Sequence, residues 1–287
     1  MSIHPTAIVA PGAQIPASCT IGPYCTIGAN VVLGEDCELI SHVVLDGHLT
    51  LGRGNRVFPF ACLGVAPQDL KYAGEPTRCT IGDLNTIREY VTISRGTAGG
   101  GGNTTIGSSC LIMAYTHIGH DSHIGSGCIL ANSATLAGHV TVEDYAVVGA
   151  LCPVHQFCRI GRYAYIGGGT TITQDVLPYS LTCIERNNHA YGLNKVGLER
   201  RGFTPAQLRA LRQAYRLLQA SKLNTTDALA AIRSTLLGEP SALLAEATGS
   251  QPTEPSAQAS AALAPDEAEH VRYLADFIAN SDRGIIK

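Results

Sequence analysis

Residues 15–33 read IPASCTIGPYCTIGANVVL, with a large aliphatic side chain at every sixth position: Ile15, Ile21, Ile27 and Leu33. Working outward, the beat extends back through Val9 to Ile3 and forward through Leu39, Leu45, Leu51, Val57 and Leu63, eleven positions without a miss. It resumes in phase at Ile81, Ile87 and Ile93, and twelve more positions follow from Ile106 to Ile172 in a phase shifted by one. An α-helix repeats at 3.6 residues and a strand at two, so a six-residue beat over most of a chain marks a repeat architecture. Each hexad reads as a short strand and a corner, and three hexads close a triangular coil in which residues 18 apart stack. Nine or ten such coils, about 4.8 Å apart, make a prism on the order of 45 Å tall. The residue after the aliphatic position is Gly in twelve of the 26 hexads, among them Gly22, Gly28, Gly34, Gly52 and Gly82. Glycine there is expected to serve a corner with positive φ.

Composition agrees with such a scaffold. The 287 residues are 45% hydrophobic but only 6% aromatic, with no Trp and 31 Gly, so the core must be built from Ile, Val, Leu and Ala. That length holds one large domain and a smaller one. A net charge of -3 supplies no general basic field for nucleic acid. No apolar run approaches the roughly 20 residues of a membrane span, and the start, Met1-Ser2-Ile3-His4-Pro5, lacks the features of a signal peptide, which points to the cytoplasm. Eight of the ten cysteines (Cys19, Cys25, Cys37, Cys79, Cys110, Cys128, Cys152 and Cys158) lie two residues before an aliphatic repeat position. Two residues along a strand return to the same face, so these are expected to be small, reduced, inward-facing core residues.

Two stretches break the rhythm. Residues 64–80, GVAPQDLKYAGEPTRCT, read as a loop replacing part of a coil, and residues 94–105, SRGTAGGGGNTT, as a flexible Gly-rich excursion. Long loops on a rigid scaffold are where binding groups collect. After Ile172 the beat ends and helical spacing begins. Thr204-Pro205 opens a helix carrying Leu208, Leu211, Tyr215 and Leu218. Thr226 and Asp227 open a second, with Leu229, Ile232 and Leu236, stopped near Gly238, and a last helix carries Val271, Leu274 and Ile278. The expected division is a β-helix over 1–190 and a helical domain over 191–287, with a poorly ordered Ala/Ser/Pro-rich insertion at 239–264.

Histidines concentrate between residues 117 and 155, and stacking at 18 residues derives their neighbours. His120, Gly138 and Gln156 share one column; Asp121 and His139 share the next; His155 adjoins Gln156, and His117 lies one corner away from His120. A lone histidine is usually a satisfied structural residue, but four of them sharing a patch with Asp121 and Gln156 exceed what a core needs. A neutral imidazole is the usual general base near neutral pH, and glycine in the stacked position leaves an N–H free to meet an oxyanion.

These residues carry a family resemblance. QDLKYAGEPT (68–77), THIGHD (116–121), CILANSATLAGHV (128–140), HQFC (155–158) and RRGF (200–203) occur in an order that resembles the hexapeptide-repeat acyltransferases. Within them the pattern is similar to the UDP-N-acetylglucosamine O-acyltransferases, which open lipid A synthesis. The resemblance extends through about residue 220 and implies a left-handed parallel β-helix followed by an α-helical C-terminal domain. It implies His120 as the base that deprotonates the sugar 3-hydroxyl, Asp121 as its support and the Gly138 amide as the group facing the thioester oxygen, with no covalent acyl-enzyme, cofactor or metal. Asp69, Lys71, His117, His139, Gln156, Asn194 and Arg200 are similar in place to groups that hold the UDP-sugar or the acyl arm, and Gln68 and His155 line the same cleft. Gly168 matches the acyl-chain ruler, where glycine implies a long acyl group. Repeat arithmetic puts Gly168 and His120 on different corners, so one pocket uses both only across a subunit boundary, as in the homotrimer the resemblance implies.

The segment 181–201 departs from the family pattern. Val196 stands where an acidic residue is usual, and the spacing around Asn188 and His189 is altered. The implied donor is an acyl carrier protein, which is acidic. Lys195, Arg200, Arg201, Arg209, Arg212, Arg216 and Lys222 against Glu199 leave a local excess of about six positive charges, a candidate docking surface. The residues alone leave two other readings open: a noncatalytic scaffold, and a zinc enzyme of the trimeric β-helix carbonic anhydrase type using His117, His120 and His123. They also leave open a 3-hydroxyl or a 3-amine as acceptor.

Overall fold

The computed structural model describes residues 2–185, 187–220, 223–239 and 263–286, without the side chains of 183–191 and 220. The expected insertion at 239–264 lies almost wholly outside the described residues, as does Lys222, and so do the side chains of Asn188 and His189. The beat of six is realised as strands mostly two residues long, such as Thr20–Ile21 and Thr26–Ile27, with the aliphatic residue inward and its neighbour outward. Three parallel sheets form the faces of a left-handed β-helix. The first face carries the strands ending at Ile3, Ile21 and Leu39, the second those ending at Val9, Ile27 and Leu45, and the third those ending at Leu33 and Leu51. Rungs pair at 18 residues, as in Thr20 with Glu38 and Ile21 with Leu39.

The aliphatic column and the cysteines two residues ahead of it fill one continuous core, and each buried Ile or Leu contributes about 1.5–3 kcal/mol relative to exposure. All eight cysteines on the expected phase are buried and unpaired.

The corner glycines correct the expectation of positive φ. The left-handed residue is the third after the aliphatic position, as in Tyr24, His42, Phe60, Tyr90 and Tyr115, with φ between 53° and 66°. Glycine at the first position answers a different demand. A Cβ on Gly22 would collide with the carbonyl oxygen of Ile40 on the next rung, and one on Gly34 would reach 2.5 Å from the Arg53 nitrogen. Along the edge between the first and second faces the left-handed positions carry rings from Tyr24 to Tyr115, whose centroids stack at 4.8 to 5.0 Å, the rung spacing itself.

The segment 64–80 does not replace part of a coil. Leu51 pairs with Ile81 and Val57 with Ile87, a step of 30, so every coil stays complete and twelve residues are added at one corner. The Gly-rich segment adds seven at the same corner, since Ile93 pairs with Ile118. Both insertions leave the edge between the second and third faces.

Above Ile166 an antiparallel hairpin, Ser180–Glu185 with Asn187–Leu193, continues the first face; neither it nor the short helix α1, Lys195–Arg200, is expected from the sequence. Helices α2 (Pro205–Tyr215), α3 (Thr225–Leu237) and α4 (Pro265–Ala279) follow. Thr204 caps α2 in a reciprocal box with Gln207, and α3 starts one residue early, capped by Asn224, and ends at Gly238 with φ 65°. Leu208, Leu211, Tyr215, Leu218, Ile232, Leu236, Val271, Leu274 and Ile278 form a second core, with Leu229 packed at its margin. After α4 the chain returns to the prism: Ile286 is buried in its core, and the Ile286 and Asp175 amides donate to Asp175 and Gly284 at 2.9 Å. Among the described residues no helix is long and apolar enough to cross a membrane.

Candidate active site

Three successive rungs turn from the second to the third face at residues 119–121, 137–139 and 155–157, which brings the predicted cluster to one edge. His120 is about one-fifth exposed, and Asp121 beside it is fully buried. The His120 ring lies against the bare Cα of Gly138: a Cβ there would sit 2.7 Å from ring Cε1 and 2.8 Å from Nε2. Among the described residues no protein group accepts from the Gly138 N–H.

Asp121 Oδ2 accepts from His120 Nδ1 at 2.9 Å and from Thr97 Oγ1 at 2.6 Å, and the Thr97 N–H donates to the same carboxylate at 3.0 Å. Burial opposes the charge on Asp121, but the bonds from Thr97 and His120 outweigh it and hold its pKa below the usual carboxylate value. Nδ1–H of His120 is thus tied to an ionised partner, which leaves Nε2 as the basic atom. Thr97 belongs to the Gly-rich insertion and has no signal in the sequence. Gly100 holds that insertion down, since a side chain there would collide with Asp121 and His139.

His139 meets the His120 ring edge-on at 5.1 Å and stacks on Phe157 at 4.5 Å, a contact not expected from the sequence. Burial lowers the pKa of His139, and also that of His117, whose Nδ1 lies 2.7 Å from Thr92 Oγ1. Asp69, Lys71, Tyr72 and Glu75 of the first insertion and Thr97 to Gly99 of the second enclose a recess of about 200 Å³ with His139. Arg95 pins the first insertion by donating to Tyr72 Oη at 2.9 Å and to the Gly64 carbonyl at 2.8 Å. Gln68, His155 and Gln156 are exposed.

Asn194 and Arg200 are brought to a different place, a cleft of about 720 Å³ on the first face, walled by Tyr145, Tyr163, Tyr165, Leu181 and Val196. Arg200 is exposed, but the Asn194 amide is committed: Oδ1 accepts from the Gly197 N–H at 3.2 Å and Nδ2 donates to the Tyr163 carbonyl at 3.1 Å, capping α1. Gly168 lies past Ile166, on the edge between the first and second faces, away from His120. Arg209, Arg212 and Arg216 are exposed along α2 and just beyond it.

His117, His120 and His123 do not converge within one chain, standing respectively on the second face, the edge and the third face. Among the described residues, the three side chains whose ligand atoms lie within 4.8 Å of one another are His120, Asp121 and His139, and Asp121 already has Thr97 and His120 as partners.

The family model described as UDP-N-acetylglucosamine O-acyltransferase, domain 2, matches residues 175–286, and the bacterial transferase hexapeptide model matches 1–35 and 103–138. The UDP-N-acetylglucosamine acyltransferase of Francisella novicida is 36% identical over 99% of this chain and 93% of that one, with a TM-score of 0.85. This chain belongs to the UDP-N-acetylglucosamine acyltransferase family. The Moraxella catarrhalis O-acyltransferase, 37% identical with all of both chains covered and a TM-score of 0.82, agrees. So does the Arabidopsis member, 33% identical over 99% of this chain and all of its own, at 0.76. The protein is therefore an acyltransferase, and the His120 edge is its candidate active site.

Proposed function

We propose that the protein transfers a 3-hydroxyacyl group from an acyl carrier protein to the 3-position of UDP-N-acetylglucosamine, the first step of lipid A synthesis, in the cytoplasm. The observation that carries this reading is the His120 imidazole, tied through Nδ1 to buried Asp121 and resting on the side-chain-free Gly138. Nε2 takes the proton of the sugar hydroxyl as its oxygen attacks the thioester carbonyl. The resulting oxyanion meets the unpaired Gly138 N–H. On collapse the C–S bond breaks, the imidazolium returns its proton to the departing thiolate, and the products are an ester and a free thiol with no acyl-enzyme. Asp69, Lys71, His117, His139, Gln68, His155 and Gln156 hold the acceptor and the acyl arm around this edge, while Arg200 serves the nucleotide and Asn194 shapes α1 beneath it.

Gly168 sets the acyl length from a second subunit of a homotrimer, since its edge is not that of His120. The exposed Arg209, Arg212 and Arg216, with Lys195 and Arg201, dock the acidic carrier. The division into a catalytic 1–190 and a docking 191–287 belongs to the same reading.

The test is a transfer assay with a series of hydroxyacyl carrier proteins and both 3-hydroxyl and 3-amino acceptors. His120→Ala is expected to lower kcat by about 10²- to 10⁴-fold with assembly and melting unchanged. A His120→Ala enzyme that keeps its rate sinks the reading. Stoichiometric zinc in the purified protein, with activity lost on chelation, would put a metal at His120, Asp121 and His139 in its place.

A further inference from the structure

Beyond the residues discussed so far, the segment that follows α4 reaches the same edge. Arg283 crosses from Asp282–Ile286 to the rung of His155, where one Nη2 lies 3.0 Å from His155 Nδ1 and donates to the Thr173 carbonyl at 3.2 Å. His155 Nδ1 is also 3.0 Å from the Gln156 carbonyl oxygen, and the two contacts demand opposite tautomers. A guanidinium has no lone pair to accept with, so against Arg283 the ring nitrogen must be the acceptor and the ring must be neutral. The segment is held in register independently of this contact. The Asp175 N–H donates to the Gly284 carbonyl and the Asp175 carbonyl accepts from the Ile286 N–H, Ser281 donates to Asp175 Oδ2 at 2.8 Å, and Ile286 is buried in the prism core. The Arg283 guanidinium also lies beside the buried Cys158 thiol, whose pKa it lowers against the larger upward push of burial.

We propose that Arg283 is a positioning residue for the acceptor: by donating to Nδ1 it fixes His155 as the neutral Nε2–H tautomer, so that Nε2–H is the donor offered to an oxygen of the UDP-amino sugar. The proposal rests on the reading that the acceptor binds along the edge of His120, Gly138 and Gln156. His155 stands one rung above Ala137 and two above Gly119, on the column adjoining that of His120 and Gln156. Arg283 touches neither reacting atom and acts only through the imidazole.

Two measurements on the full-length protein test this. In the first, nitrogen-15 histidine spectra of the unaltered enzyme, with His155 assigned from a His155→Gln sample, are expected to show Nδ1 unprotonated and Nε2 protonated. A protonated Nδ1, bonded to Gln156, overturns the proposal without any variant of Arg283. In the second, Arg283→Ala is expected to raise KM for the sugar nucleotide about fivefold, the size of one hydrogen bond, with kcat and KM for the acyl carrier protein within about twofold. Arg283→Lys, which keeps a donor, recovers part of the loss. In a His155→Ala background Arg283→Ala adds nothing, as expected of two groups acting as one. An equal effect of Arg283→Ala with and without His155, or a uniform loss of every kinetic constant along with melting temperature, reduces Arg283 to a structural tie and defeats the proposal. Should His120→Ala be inactive while Arg283→Ala leaves the acceptor KM unmoved, only this inference fails and the catalytic reading stands.

Discussion

His117 and His139 stand on neighbouring positions around the candidate base, and for both the first cause of a lowered pKa is burial, with repulsion from His120 adding to it. A group whose folded pKa is depressed stabilises the fold above its unfolded value and loses that contribution as pH falls through the folded one. Stability should therefore decline as pH drops below about 6.5, the unperturbed histidine value. His270, also lowered by burial, adds to the decline, so the test is a difference. Urea titrations at several pH values should show a shallower acid-side loss in the His117→Gln, His139→Gln double variant, and parallel curves would contradict this. The stacking of His120 on Gly138 is legible in the sequence because both lie on the regular beat, where an offset of 18 is a spatial statement. Thr97 is not legible as the partner of Asp121: it sits in an insertion, where counting has no geometric meaning, and a threonine before glycines carries no other mark.

The elements divide along the same line. Hexad strands announce themselves because each must bury one aliphatic side chain every six residues, and α2, α3 and α4 because their buried residues recur at 3.6. The hairpin of Ser180–Leu193 and the six-residue α1 are too short to display a period and are fixed by what they pack on, Asn194 closing α1 through its cap. The glycine after the aliphatic residue marks the close approach of the next rung rather than the unusual φ that its place at a corner suggests. Gly22→Ala should thus destabilise by about 2 kcal/mol or more, because the clashing Ile40 carbonyl is backbone, held by the neighbouring bonds from Gly22 N–H to the Leu39 carbonyl and from Ile40 N–H to the Val57 carbonyl. Gly99→Ala, with open space around it, should stay within about 0.5 kcal/mol of the parent. Urea unfolding of the two variants checks this, since the φ of Gly22 is not positive and alanine there would be nearly silent if its Cβ met no neighbour.

At the scale of the molecule, the proposed base and the proposed ruler face different edges, and that makes a prediction about mixtures. His120→Ala and Gly168→Met chains, each poor in long-chain transfer alone, should recover activity when assembled together, because some shared pockets then draw an intact histidine from one chain and an intact glycine from another. A pocket built within one chain would give no recovery at any ratio. The two insertions bear on how such a pocket is altered over time. Both issue from a single edge, and the steps of 30 and 25 residues across them leave the pairs above and below at their ordinary 18. The scaffold behaves like a spiral stair with one widened landing: the landing is rebuilt freely while no tread moves, so substrate preference drifts there without renegotiating the fold.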